Sequence, residues 1–128
     1  MADKPHEIEE AFLASWDKIE LFYEDRLSMD SWQWYRPMVD LLAEFRQRGY
    51  DRKLRAQQSH QRLLLTRLRV HQAPHRDKPR LYVQVLKSKG MLMEFFDGTN
   101  ISEYRSERVA ITEELEELLS RLIRSPIA

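Results

Sequence analysis

His60, His71, His75 and Asp77 are the side chains in this 128-residue chain whose types would suit a metal ion. A zinc site needs three or four such ligands converging on a point. His71 and His75 stand four apart, but Pro74 and Pro79 put them in a loop rather than on one helix face. Arginines on both sides would repel a cation, so these read as surface histidines. Ser59-His60 and Ser106-Glu107 set a hydroxyl beside a proton acceptor, yet neither stands in a strand-to-helix nucleophile turn. Glu113, Glu114, Glu116 and Glu117 cluster where a helix begins, which matches the positive end of its dipole better than a catalytic pair. Asp97 before Gly98 reads as a turn former. Acid–base chemistry needs two groups with separated pKa values, and no such pair stands out. The sequence therefore predicts a protein without enzymatic activity: no catalytic residue, no cofactor and no metal ligand is expected.

The sharper feature is charge. Lys and Arg number 21, as do Asp and Glu, so the formal net charge is zero. That average hides three blocks. Residues 1–45 hold 11 acids and 4 bases, residues 46–80 hold 2 and 11, and residues 81–128 hold 8 and 6. Arg46, Arg48, Arg52, Lys53, Arg55, Arg62, Arg67 and Arg69 form a basic run, with Tyr50 and Tyr82 as aromatics that would stack on bases. A nucleic-acid-binding module is the alternative reading. Against it, the sequence pI is only about 6.9, and no zinc-finger spacing, RNP aromatics or phosphate loop is present. The same cations would serve equally well as partners for the acidic first and last helices.

Three helices are expected around a sheet. Ile8, Phe12, Trp16, Ile19 and Tyr23 recur at helical spacing and predict a helix over 6–27, with acids opposite. Asp30 and Gln33 have capping-box spacing. Trp34, Met38, Leu41, Leu42 and Phe45 line the next helix, and Gly49 after Arg46-Gln47-Arg48 ends it. Trp32 falls off that stripe and is expected to be exposed. Residues 50–59 predict a loop or one or two helical turns. Thr112 caps a last helix, with Leu115, Leu118, Leu119 and Leu122 inward.

Between them, 60–97 reads as a three-stranded antiparallel meander. Alternation predicts strands over 61–71, 80–86 and 91–96, joined by a loop over 71–79. A three-residue loop at Ser88-Lys89-Gly90 would pair Val85 with Met93, Val83 with Phe95, Gln84 with Glu94, Tyr82 with Phe96 and Leu86 with Leu92. A short fourth strand near 103–107 is a further option. The fold class is α+β in a single domain over residues 1–128: a helical hairpin, a meander of three or four strands, and a C-terminal helix.

The second face of that sheet carries Leu63, Leu65, Tyr82, Leu86, Leu92 and Phe96 among Arg67, Gln84 and Glu94. It is too apolar for a solvated face. Either the chain's own helix covers it or another chain does. The six apolar residues are therefore the candidate protein interface. The expected function is a small cytoplasmic interaction or regulatory module, homodimeric through this face. There is no cysteine, no run near the roughly 20 apolar residues of a membrane span, and no signal-peptide pattern at Met1–Pro5.

Overall fold

The computed structural model describes residues 4–72 and 77–128. His75 and Pro74 lie outside the described residues. Among those described, no three His, Cys, Asp or Glu side chains gather as a metal set, and no helix is long and apolar enough to cross a membrane.

Helix α1 spans Pro5–Leu27 and buries Phe12, Trp16, Ile19 and Tyr23. A 3₁₀ turn over Asp30–Tyr35 then leads into α2, Arg36–Gln47. Asp30 makes no capping box. The Gln33 side chain turns back instead, and its amide donates to the Leu27 carbonyl. The proline at 37 sits in the first turn of α2, where its missing N–H costs nothing. Gly49, at φ +83°, closes α2 as expected. Helix α3, Glu113–Ile123, is capped by Thr112, whose Oγ1 accepts from the Leu115 N–H at 3.2 Å.

Among the described residues the sheet has five strands in sequence order, all antiparallel: β1 Arg55–Ser59, β2 Arg62–Thr66, β3 Arg80–Val85, β4 Met91–Phe96 and β5 Ile101–Ser106. Two corrections to the sequence reading follow. Residues 55–59 form a strand where a loop or helical turns were expected, and the strand expected over 61–71 stops at Thr66. Arg-Ala-Gln-Gln-Ser has no β-branched or aromatic residue, so propensity gives no strand signal. Its partners make it one. The tight turn His60-Gln61 folds it onto β2, pairing Ser59 with Arg62 and Ala56 with Leu65. Ser15 of α1 accepts the Ala56 N–H at 2.9 Å on the outer edge.

The third correction is the β3–β4 register. Val85 pairs with Met91, Val83 with Met93, Leu81 with Phe95, Tyr82 with Glu94 and Gln84 with Leu92. The loop is three residues long but comprises Lys87-Ser88-Lys89, closed by the Leu86 N–H on the Gly90 carbonyl at 2.9 Å. Everything moves by two, so each face keeps its residues. Lys89 takes the left-handed position at φ +97°. Gly90 is also left-handed, and a second constraint requires glycine there. A Cβ there would lie 2.2 Å from the Ser106 carbonyl oxygen of β5.

The core lies between one face of the sheet and the helices. Leu63, Leu65, Leu81, Val83, Val85, Met91, Met93 and Phe95 meet Trp16, Met38, Leu42, Phe45, Leu115 and Leu119, all at most 2% exposed.

Candidate functional site

Cross-strand partners share a face, which sorts the six candidate interface residues. Leu63 pairs with Val83 and Leu65 with Leu81, so both lie on the helix-covered face with 0% exposure. They cannot belong to the open face, and that part of the expectation is corrected. Their faces were inverted because β2 was read one residue out of phase with β3. Tyr82, Leu86, Leu92 and Phe96 do share the opposite face, half-buried. Ile101 of β5, paired with Phe96, joins them at 64% exposure. The sequence reading missed Ile101 because no alternation marks β5.

That outer face divides into two halves. Over β1 and β2 it is closed by the chain following Thr66. Leu68 is buried there, as are Leu64 and Thr66. Arg67 donates to the Lys53 and Ser125 carbonyls, and the Ala128 N–H donates to the Arg67 carbonyl. Over β3, β4 and β5 no helix lies on it among the described residues. Arginines lid the rings instead: Arg62 sits 4.0 Å from the Tyr82 centroid and Arg80 4.5 Å from that of Phe96. Arg62 also reaches Glu94 at 3.6 Å. The face thus carries Arg62 and Arg80 on its β2–β3 side. Glu94 and Glu103, paired across β4 and β5, lie on the other side with Arg105.

The eight basic candidates do not form one surface. Arg46 is held by Asp17, Glu20 and Asp51 at 2.8, 2.8 and 3.0 Å. Burial disfavours its charge, but the three carboxylates outweigh that and hold its pKa above the ordinary value. Arg48 bonds Glu44 and Glu116, and Arg52 lies 3.5 Å from Glu9. These contacts join α2 and the following 3₁₀ turn, Tyr50–Arg52, to the acidic helices. Arg55 is buried and donates to the Leu68 and Arg69 carbonyls. Burial pulls the pKa of Arg55 and of Arg67 down. Lys53 and Arg69 are exposed. Tyr50 packs on Phe45 rather than outward. Trp32, expected off the stripe, is half-buried, stacked on Trp34 at 6.0 Å with Arg26 above it.

A second feature emerged only in three dimensions. A cleft of about 320 Å³ opens between α1 and the free edge of β1, bounded by His71. Ala11, Ala14, Ile19 and Phe22 give it an apolar wall. No family model matches this chain, and no curated protein or solved structure matches it either.

Proposed function

We propose that this protein is a non-enzymatic cytoplasmic interaction module that pairs with a second copy of itself through the open half of its sheet. The observation behind this reading is the one-sided layering: among the described residues no helix covers the outer face of β3, β4 and β5, where Tyr82, Leu86, Leu92, Phe96 and Ile101 lie together. An antiparallel sheet tolerates one solvated face, but such a face is normally polar. Ring-plus-guanidinium groupings of this kind are typical of the anchoring residues of protein interfaces.

Charge placement argues for self-association. Take a two-fold axis parallel to the strands, over the junction of β3 and β4. It would lay the Arg62 and Arg80 side of one copy over the Glu94 and Glu103 side of the other. Each copy then supplies both halves of the match, as an isologous interface requires.

Sedimentation equilibrium tests this on the full chain. The expected result is a dimer at micromolar concentration and a weakening of at least roughly tenfold for Leu92→Glu, about 1.4 kcal/mol. Leu92 is half-buried on the outer face, so circular dichroism should show the variant folded. A wild type that stays monomeric at about 100 µM sinks the proposal. Binding of a single-stranded oligonucleotide by that monomer, with log affinity falling linearly in log salt, would favour the basic-segment alternative. Arg52, Lys53 and Arg69 would then be the residues to substitute.

A further inference from the structure

Two buried polar side chains, Arg55 and Gln57, line the cleft between α1 and β1. Arg55 is 6% exposed. Two of its N–H groups reach main-chain carbonyls, those of Leu68 at 2.8 Å and Arg69 at 2.5 Å. Among the described residues no carboxylate meets it. The contrast with Arg46 is instructive, since that less buried cation collects three carboxylates. A buried guanidinium normally has an anion beside it. Gln57, also 6% exposed, donates from Nε2 to the Gln72 carbonyl at 3.2 Å, but its Oε1 is buried with no donor. Buried amide oxygens without a partner are rare enough to call for an explanation.

Both side chains line the same cavity. Among the described residues its other ionisable lining groups are Lys18 and His71, and no acid lines it. Its volume stands near the lower end of the usual range for small-molecule sites, and its apolar wall with a few polar groups matches their usual composition.

We infer that this cleft binds a small apolar carboxylate that also carries a hydrogen-bond donor, of the size and kind of an N-acylated amino acid. The carboxylate answers the Arg55 cation, with Lys18 adding positive potential. The donor answers Gln57 Oε1. The apolar body lies against Ala11, Ala14, Ile19 and Phe22. The site is independent of the open sheet face, so it stands or falls apart from self-association.

The probes are N-acetyl-L-leucine, N-acetyl-L-phenylalanine and octanoate, titrated into the full chain and followed by amide chemical shifts. At least one N-acetyl amino acid should bind saturably, shifting the Ala14, Ile19 and Gln57 amides. Octanoate, which lacks the donor, should bind more weakly. N-acetyl-L-leucinamide, which lacks the carboxylate, should bind roughly 10- to 100-fold more weakly, the loss expected for a charge-assisted bond. Arg55→Ala would also remove two hydrogen bonds that hold the fold, so the decisive variant is Ala14→Trp. Its site is exposed, and the larger ring should fill the cleft and abolish the shifts while circular dichroism stays native. The idea is overturned by no saturable shift at roughly 10 mM, ten times a millimolar dissociation constant. Equal affinity for acid and amide, or binding unaffected by Ala14→Trp, overturns it as well.

Discussion

His60 and Gln61 make a two-residue hairpin turn with φ of +51° and +76°. Both central residues of such a turn are left-handed, which is why Asn-Gly is its usual sequence. His tolerates that region better than most residues, but Gln does not suit it, and a side-chain-bearing residue there costs roughly 1–2 kcal/mol. Two tyrosines of the helical layer fasten the turn: the Tyr23 and Tyr35 hydroxyls both donate to the Gln61 carbonyl. Replacing Gln61 by glycine keeps that carbonyl and removes the steric clash. The expected outcome is a gain of about 1 kcal/mol, part of the relief being offset by the greater freedom of glycine when unfolded. Urea unfolding should show a higher midpoint with an unchanged slope.

The same tyrosines predict an alkaline limit. Burial pushes the Tyr35 hydroxyl up to about 12 from an ordinary 10.0, and burial, with Tyr35 alongside, pushes Tyr23 up further. A raised pKa means the folded state holds its proton more tightly than the unfolded chain. The stabilisation is therefore complete below pH 10 and lost as pH climbs from there through about 12. Stability measured against pH should be lower at the upper end of that window. In Tyr23→Phe/Tyr35→Phe the slope above pH 10 should flatten, while stability at neutral pH falls by about 1 kcal/mol per lost hydrogen bond.

At the level of elements, each edge of the sheet is handled differently. The β1 edge lies along α1: Ser15 accepts the Ala56 N–H, and Trp16 Nε1 donates to the Leu54 carbonyl at 2.8 Å. Among the described residues the β5 edge has no such cover, and β5 pairs with β4 alone. At Gly90, just before β4, the β5 backbone at Ser106 passes close. Gly90→Ala would drive a Cβ to 2.2 Å from the Ser106 carbonyl oxygen, a separation at which backbone must move, and would place alanine at φ +87°. A loss of roughly 2–4 kcal/mol is expected, combining left-handed strain with disrupted pairing. Hydrogen exchange should then speed up along β4 and β5 first. Protection unchanged at Met91 to Phe96 would show that the strands accommodate the methyl group.

For the whole molecule, the dipolar sequence resolves mostly into internal neutralisation. The acidic N-terminal block and the basic run meet where Arg46 bridges α1 and α2, and Arg48 ties α2 to α3. Partly exposed pairs of this kind contribute little singly, about 0–1 kcal/mol. If the open faces pair, association favours the folded state by mass action. The midpoint of thermal unfolding should rise with protein concentration in the wild type and not in Leu92→Glu. A midpoint independent of concentration in both would count against the dimer.

Local periodicity was enough to delimit the helices, the α3 cap, the glycine stop at 49 and the composition of both faces of β3 and β4, because each depends on residues within a few positions of one another. It also set Tyr82, Leu86, Leu92 and Phe96 on one face, which the alternation keeps, but as the direct pairs Tyr82–Phe96 and Leu86–Leu92, whereas Tyr82 faces Glu94 and Leu92 faces Gln84. Strand β1, the phase of β2, and the cleft beside Arg55 and Gln57 were not legible. They depend on partners tens of residues away, Ser15 on Ala56 and Tyr35 on Gln61, and a strand of polar residues carries no signal of its own. The two-residue register shift was not legible either: turn chemistry near Gly90 allows either loop, and both keep the same residues on each face. Sequence sufficed where chain neighbours decide a conformation; tertiary packing decided every feature in which a backbone or a charge finds its partner across the fold.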